Sequence, residues 1–178
     1  MRFFLDTEFI DTGQDIDLLS IGVVSEDGRE FYAQNAEAHF ERADEWVRNN
    51  VLVHFDQCGQ GTPMEWPLGG VAMAHGSRRC HQACPWWSRA GIAEGLRYFA
   101  EPQPEFWTYY GAYDWVVVSQ LYGRMLDVPS GWPLYCRELQ QMFDERGVAP
   151  DARDPSAAHH ALADARWARQ QWEKWRVR

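Results

Sequence analysis

Residues 2–34 read RFFLDTEFIDTGQDIDLLSIGVVSEDGREFYAQ. Three strands with short turns between them account for this stretch. RFFLDTEF opens it, and the apolar Phe3, Phe4 and Leu5 mark a strand buried on both faces. DTGQ is a turn signal. DLLSIGVVSE, rich in Ile and Val, is the second strand; Asp-Gly makes the next tight turn and EFYAQ the third strand. Consecutive strands on such short turns predict an antiparallel meander. Asp6 and Glu8 are two apart on the first strand, so both carboxylates point to one face. Two buried carboxylates side by side repel, and burying them without a cation is costly. A divalent ion resolves that conflict, as does plain exposure to solvent.

Working outward, the pattern turns helical. ERADEWVRNNVL forms a short helix, and WWSRAGIAEGLRYFA another, with Ile92, Leu96 and Phe99 on one face. PEFWTYYGAY reads as a strand and DWVVVSQLYGRM as the helix after it. LYCRELQQMFDERG reads as a helix ended by Gly147. After the loop VAPDARDPS, a closing helix runs from about Ala158 to Trp175. The stretch 53–85 does not fit this scheme: it holds five Gly and two Pro before Pro85, and a loop of that length is functional or disordered. The expectation is one domain over 1–178 with a long loop insertion at about 53–85. Its fold class is α/β or α+β around a mixed sheet.

The chain has 178 residues, 46% of them hydrophobic, with ten Trp, which is the composition of a globular protein. No signal-peptide pattern opens it, and no uncharged apolar run is long enough for a bilayer. The reading is a soluble, cytoplasmic protein with no membrane partner. A net charge of −9 argues against nucleic-acid binding by bulk electrostatics alone, but not against a nucleic-acid enzyme. The four Cys are read as reduced thiols or metal ligands. Cys58, His75, Cys80 and Cys84 fall in the irregular stretch and offer a possible structural Zn²⁺ site, although their spacing is no standard zinc motif. The alternative is free thiols.

Two further acids stand out. Asp114, in GAYDWVVV, lies where a strand gives way to a helix, which suits either a site residue or a helix N-cap. Asp164 lies in HHALADARWARQQW, on the rim of an apolar face made by Leu162, Ala165, Ala168, Trp172 and Trp175. Singly, each is most simply structural. Together, DTEF, GAYD and the final H-x-AL-x-DA helix resemble the histidine subclass of the DEDD superfamily of 3′–5′ exonucleases. The order and spacing match across nearly the whole chain, and they are most similar to the small single-domain bacterial exoribonucleases. One departure is Tyr110, where many relatives carry Asn.

The resemblance implies a ribonuclease H-like fold, α/β, with a mixed five-stranded sheet flanked by helices. It implies two Mg²⁺ or Mn²⁺ ions on Asp6, Glu8, Asp114 and Asp164, with Asp6 bridging both. It implies RNA 3′ ends as partner, and His159 as the base that takes a proton from the attacking water. Thr7 and Glu8 could contact the terminal nucleotide through their backbone. Phe9 could stack on its base, or simply pack in the core. Arg78, Arg79 and Arg89 could contact phosphates. Homodimers occur among such relatives. A DNA exonuclease of the proofreading type and a non-catalytic nucleic-acid-binding domain are the alternatives. Helical phase favours His160, four residues before Asp164, over His159, five before and about 140° away. The two agree if the helix has not begun at His159. His160 is then expected as a first-turn surface residue.

Overall fold

The structure, a computed structural model, describes residues 1–55, 85–100 and 102–176. Among the described residues, six strands form one mixed sheet in the order β4-β3-β2-β1-β5-β6. Strands β1 (Arg2–Asp11), β2 (Ile16–Ser25) and β3 (Glu30–Asn35) are the antiparallel meander that the turns dictate. β5 (Glu105–Thr108) pairs parallel with β1. β4 (Trp86–Trp87) and β6 (Arg137–Glu138) add parallel edges. These edge strands correct the five-stranded expectation. Each has two residues, too few for a period-2 pattern, so in the sequence both merge with the helices that follow them.

Five α-helices among the described residues flank the sheet: α1 (Glu45–Asn50), α2 (Arg89–Phe99), α3 (Ala112–Tyr122), α4 (Leu139–Arg146) and α5 (Ala161–Trp175). Their ends carry ordinary stop and start chemistry. Asp44 and Ser88 accept from the backbone of Val47 and Gly91, and Gly147 closes α4 in the left-handed region.

Alternation along β1 sets the two faces. Phe3 and Leu5 join Ile92, Leu96, Val117 and Val118 in a core under α2 and α3. Phe4 turns the other way, onto Phe143, Ala168 and Trp172 of α4 and α5. Asp6 and Glu8 share that second face, and Ile10 beyond them packs with Val47, Val51 and Trp86. The carboxylates therefore interrupt an otherwise apolar row. Beside Asp6 in register is Gly22. A Cβ there would lie 2.3 Å from the Leu162 nitrogen and 2.4 Å from the Ala161 carbonyl carbon. Only glycine lets the first turn of α5 approach β2 this closely.

Among the described residues, no helix is long and apolar enough to cross a membrane.

Candidate active site

The site is built where β1, α3 and α5 meet. β1 contributes Asp6 and Glu8 from one face. The register between β1 and β2 shifts between Glu8 and Phe9, a bulge that re-aims the strand beside the acids. Close packing at Gly22 brings α5 down onto this face, and with it Asp164. One carboxylate oxygen from each of Asp6, Glu8 and Asp164 lies within 4.8 Å of the others. Asp164 is only 4% exposed, so it sits on the buried face of α5 and not on its rim. A helical wheel places it on the rim because only apolar side chains define the face; in the fold its Oδ2 accepts from the His159 amide at 3.0 Å and pairs with Arg153 at 3.2 Å.

Asp114 arrives from the opposite layer and stands outside that trio. It is not the cap of α3, a position taken by Gly111. Its Oδ1 instead accepts from both the Thr7 amide and the Thr7 hydroxyl, each at 2.7 Å. Thr7 is thereby committed to holding Asp114 in place. The backbone ahead of α3 is held by Glu138, whose carboxylate accepts from the Tyr110 and Gly111 amides, each at 3.0 Å. Tyr110 takes φ 59, a strained conformation for a non-glycine residue, and it is exposed beside the acids.

Crowding shows in the electrostatics. Burial, followed by Asp114, Glu8 and Asp164, pushes the Asp6 carboxyl well above the usual range. Burial and the negative charge of Asp164 and Asp114 push Glu8 to about 8. Burial raises Asp114 to about 6, with the Thr7 hydrogen bonds pulling the other way. A set of buried oxygen donors that resists losing its protons is the donor set for a hard divalent cation. Cys and His are not needed for it.

His159 has φ 65 and precedes α5, which starts at Ala161 with His160 as its N-cap residue. The two histidines diverge. The His159 amide donates to Asp164 Oδ2 at 3.0 Å, and its ring meets the Trp46 ring edge-on at 4.8 Å. His160 turns away and stacks on Tyr32 at 4.8 Å. It is half-buried, which corrects the surface position expected for it, and burial lowers its imidazole below the usual range, helped by His54 and Arg166. The chain leaves helical geometry at His159, so helical phase has no authority over its direction.

A cavity of about 250 Å³ opens over the acids. His159, Trp46, Phe9, Tyr109, Tyr110 and Arg153 wall it. Phe9 is half-buried, packs against the core and meets Tyr113 edge-on at 5.8 Å. Arg89 stands elsewhere: its guanidinium is 3.6 Å from Asp17 and its amide bonds Glu37. Arg78 and Arg79, with Cys58, His75, Cys80 and Cys84 of the possible zinc site, lie outside the described residues.

The family model described as the 3′–5′ exoribonuclease Rv2179c-like domain matches residues 1–175, nearly the whole chain. The chain belongs to the Rv2179c-like 3′–5′ exoribonuclease family. Two members from Mycobacterium tuberculosis align with it. One is 3′–5′ exoribonuclease Rv2179c of strain H37Rv, 40% identical over 166 residues, or 93% of this chain and 88% of that protein. The other, 3′–5′ exoribonuclease MT2234.1 of strain CDC 1551 / Oshkosh, aligns with the same identity and coverage.

Membership of the Rv2179c-like family leaves several features of the site that sequence reasoning did not single out. Trp46, Glu138 and Arg153 gave no local signal, because each reaches the site from an element or loop remote in sequence from the acids. Gly22 did give one. A lone Gly inside the strand pattern SIGVV marks a close backbone approach.

Proposed function

We propose that this chain is a divalent-metal-dependent 3′–5′ exoribonuclease of the histidine subclass of the DEDD superfamily. It shortens single-stranded RNA from its 3′ end and releases nucleoside 5′-monophosphates. The observation that carries this reading is the convergence of Asp6, Glu8 and Asp164 within 4.8 Å, beneath a cavity walled by a histidine and several aromatic rings. RNA is preferred over DNA because both M. tuberculosis relatives are named exoribonucleases.

Asp6, Glu8 and Asp164 would hold two Mg²⁺ or Mn²⁺ ions, with Asp114 in support. When bound, such ions stabilise the charge on the attacking and leaving oxygens of a phosphodiester displacement. The chain's own groups do the rest. Thr7 fixes Asp114 against β1. The His159 imidazole receives the proton of the attacking water as general base. Its ring rests on Trp46, and its backbone is pinned to Asp164. Phe9 and Tyr110 offer aromatic surface to the terminal bases, a sequence-tolerant way to hold a single strand.

The test uses matched RNA and DNA oligonucleotides labelled at the 5′ end, with free or blocked 3′ ends, in Mg²⁺, Mn²⁺ or EDTA. The expected result is a ladder from free-ended RNA in either metal, and intact substrate in EDTA or with the 3′ end blocked. Cleavage that ignores the block would make the protein an endonuclease. Equal shortening of DNA would remove the RNA preference.

The roles of the histidines are separable. His159→Ala is expected to lower kcat by about 10²–10⁴-fold, the range for losing a general base. His160→Ala should act mainly on stability, through the lost stack on Tyr32. The reverse ranking of kcat would move the base to His160.

A further inference from the structure

Four carboxylates crowd the site, and among the described side chains lining its cavity Arg153 is the one permanently charged cation. Its guanidinium lies 3.2 Å from Asp164 Oδ2, the oxygen that also accepts the His159 amide. It rests against two mutually contacting rings, with its central carbon 4.8 Å from the Trp167 centroid and 5.1 Å from that of Tyr109. This aromatic seat is itself anchored. The Trp167 indole donates to the Asp151 carbonyl at 3.1 Å, the Asp151 amide donates to buried Gln171 at 2.9 Å, and Lys174 pairs with the Asp151 carboxylate at 2.6 Å. The backbone two residues before Arg153 is thus tied to α5, the helix that carries Asp164. This is a fixed positive charge, not a surface arginine that happens to reach an acid.

We propose that Arg153 is the built-in counter-cation of the acidic cluster, a positioning residue that balances Asp164 and its neighbours when divalent ions are absent and competes with those ions for Asp164. The site's metal affinity is then set by a guanidinium as well as by its ligands. The proposal rests on the metal-site reading above. A fixed charge at this range opposes an incoming dication, so removing it tightens ion binding by roughly tenfold.

The experiment is calorimetric titration of the full-length, metal-stripped protein with Mn²⁺, for wild type, Arg153→Gln and Arg153→Lys, together with melting curves in EDTA. Arg153→Gln is expected to bind Mn²⁺ about tenfold more tightly than wild type. In EDTA it should melt several degrees lower, and Mn²⁺ should close that gap. Arg153→Lys, which keeps the charge, should bind within about threefold of wild type. A merely structural role would leave affinity unchanged or weaken it, and either result in Arg153→Gln overturns the proposal. So does equal tightening in the Gln and Lys variants. Wild-type protein that binds no Mn²⁺ at all would instead overturn the metal-site reading, and this inference with it.

Discussion

Replacing Asp6 by Asn is expected to stop RNA shortening and, in the same protein, to raise the melting temperature measured in EDTA. Both effects come from one cause. Asp6 lies beside Glu8 and Asp164 and is destabilised by burial and by all three other acids. Without an ion its charge is a liability, and on the proposed reading it would be a ligand with one. The loss in kcat is expected to be on the order of a thousandfold, comparable to removing a principal charge-stabilising group from an active site. The stability gain has a pH signature. The carboxyls of Glu8 and Asp114 ionise at about 8 and about 6 in the folded protein, above the ordinary values of an unfolded chain. Folding therefore favours their protonated forms. This contribution is complete below about pH 4, is lost as pH rises through the folded values, and is gone above about 8. Metal-free wild type should thus lose melting temperature between about pH 5 and 8, and saturating Mg²⁺ or Mn²⁺ should flatten that slope. Asp6→Asn should flatten it in EDTA. Differential scanning calorimetry across this range checks both. A metal-free melting temperature that climbs with pH would contradict the account of the cluster.

The second large effect is expected from Gly22→Ala. The new Cβ would meet backbone atoms of Ala161 and Leu162 at 2.3–2.4 Å, and backbone cannot step aside as the end of a long side chain can. Either α5 lifts from the sheet or β2 distorts. The cost should be about 3 kcal/mol or more, at the upper end for overpacking. That corresponds to a fall in melting temperature of roughly 6–12 °C for a chain of this size. Activity should fall further than stability explains. Lifting the first turn of α5 carries Asp164 away from Asp6, and Gly22 lies beside Asp6 in register. Folded Gly22→Ala protein at low temperature should therefore bind Mn²⁺ weakly. Wild-type stability and affinity in this variant would show that α5 does not depend on the close approach.

The meander, the helix order and the acids on β1 were legible in the sequence because each has a local cause. Strand period puts Asp6 and Glu8 on one face, and a Gly in SIGVV announces a close contact. Other features have no local cause. The edge strands are two residues long and exist only because a neighbour pairs with them. The helical wheel sends Asp164 to the rim because it weighs hydrophobicity, whereas the partners that hold it, the His159 amide and the Arg153 guanidinium, come from the loop ahead of α5. Asp114 resembled a cap, yet its partner is Thr7, 107 residues away. Arg153 lay in a loop with no period at all. Helical phase could not place the two histidines, because His159 lies ahead of α5 in a left-handed backbone conformation.

The most direct measurement is anomalous diffraction from crystals of the protein soaked in Mn²⁺. An anomalous peak is expected in contact with the carboxylates of Asp6, Glu8 and Asp164, and its loss in Asp6→Asn crystals grown the same way. Well-ordered crystals at saturating Mn²⁺ with no anomalous density among these three residues would contradict it.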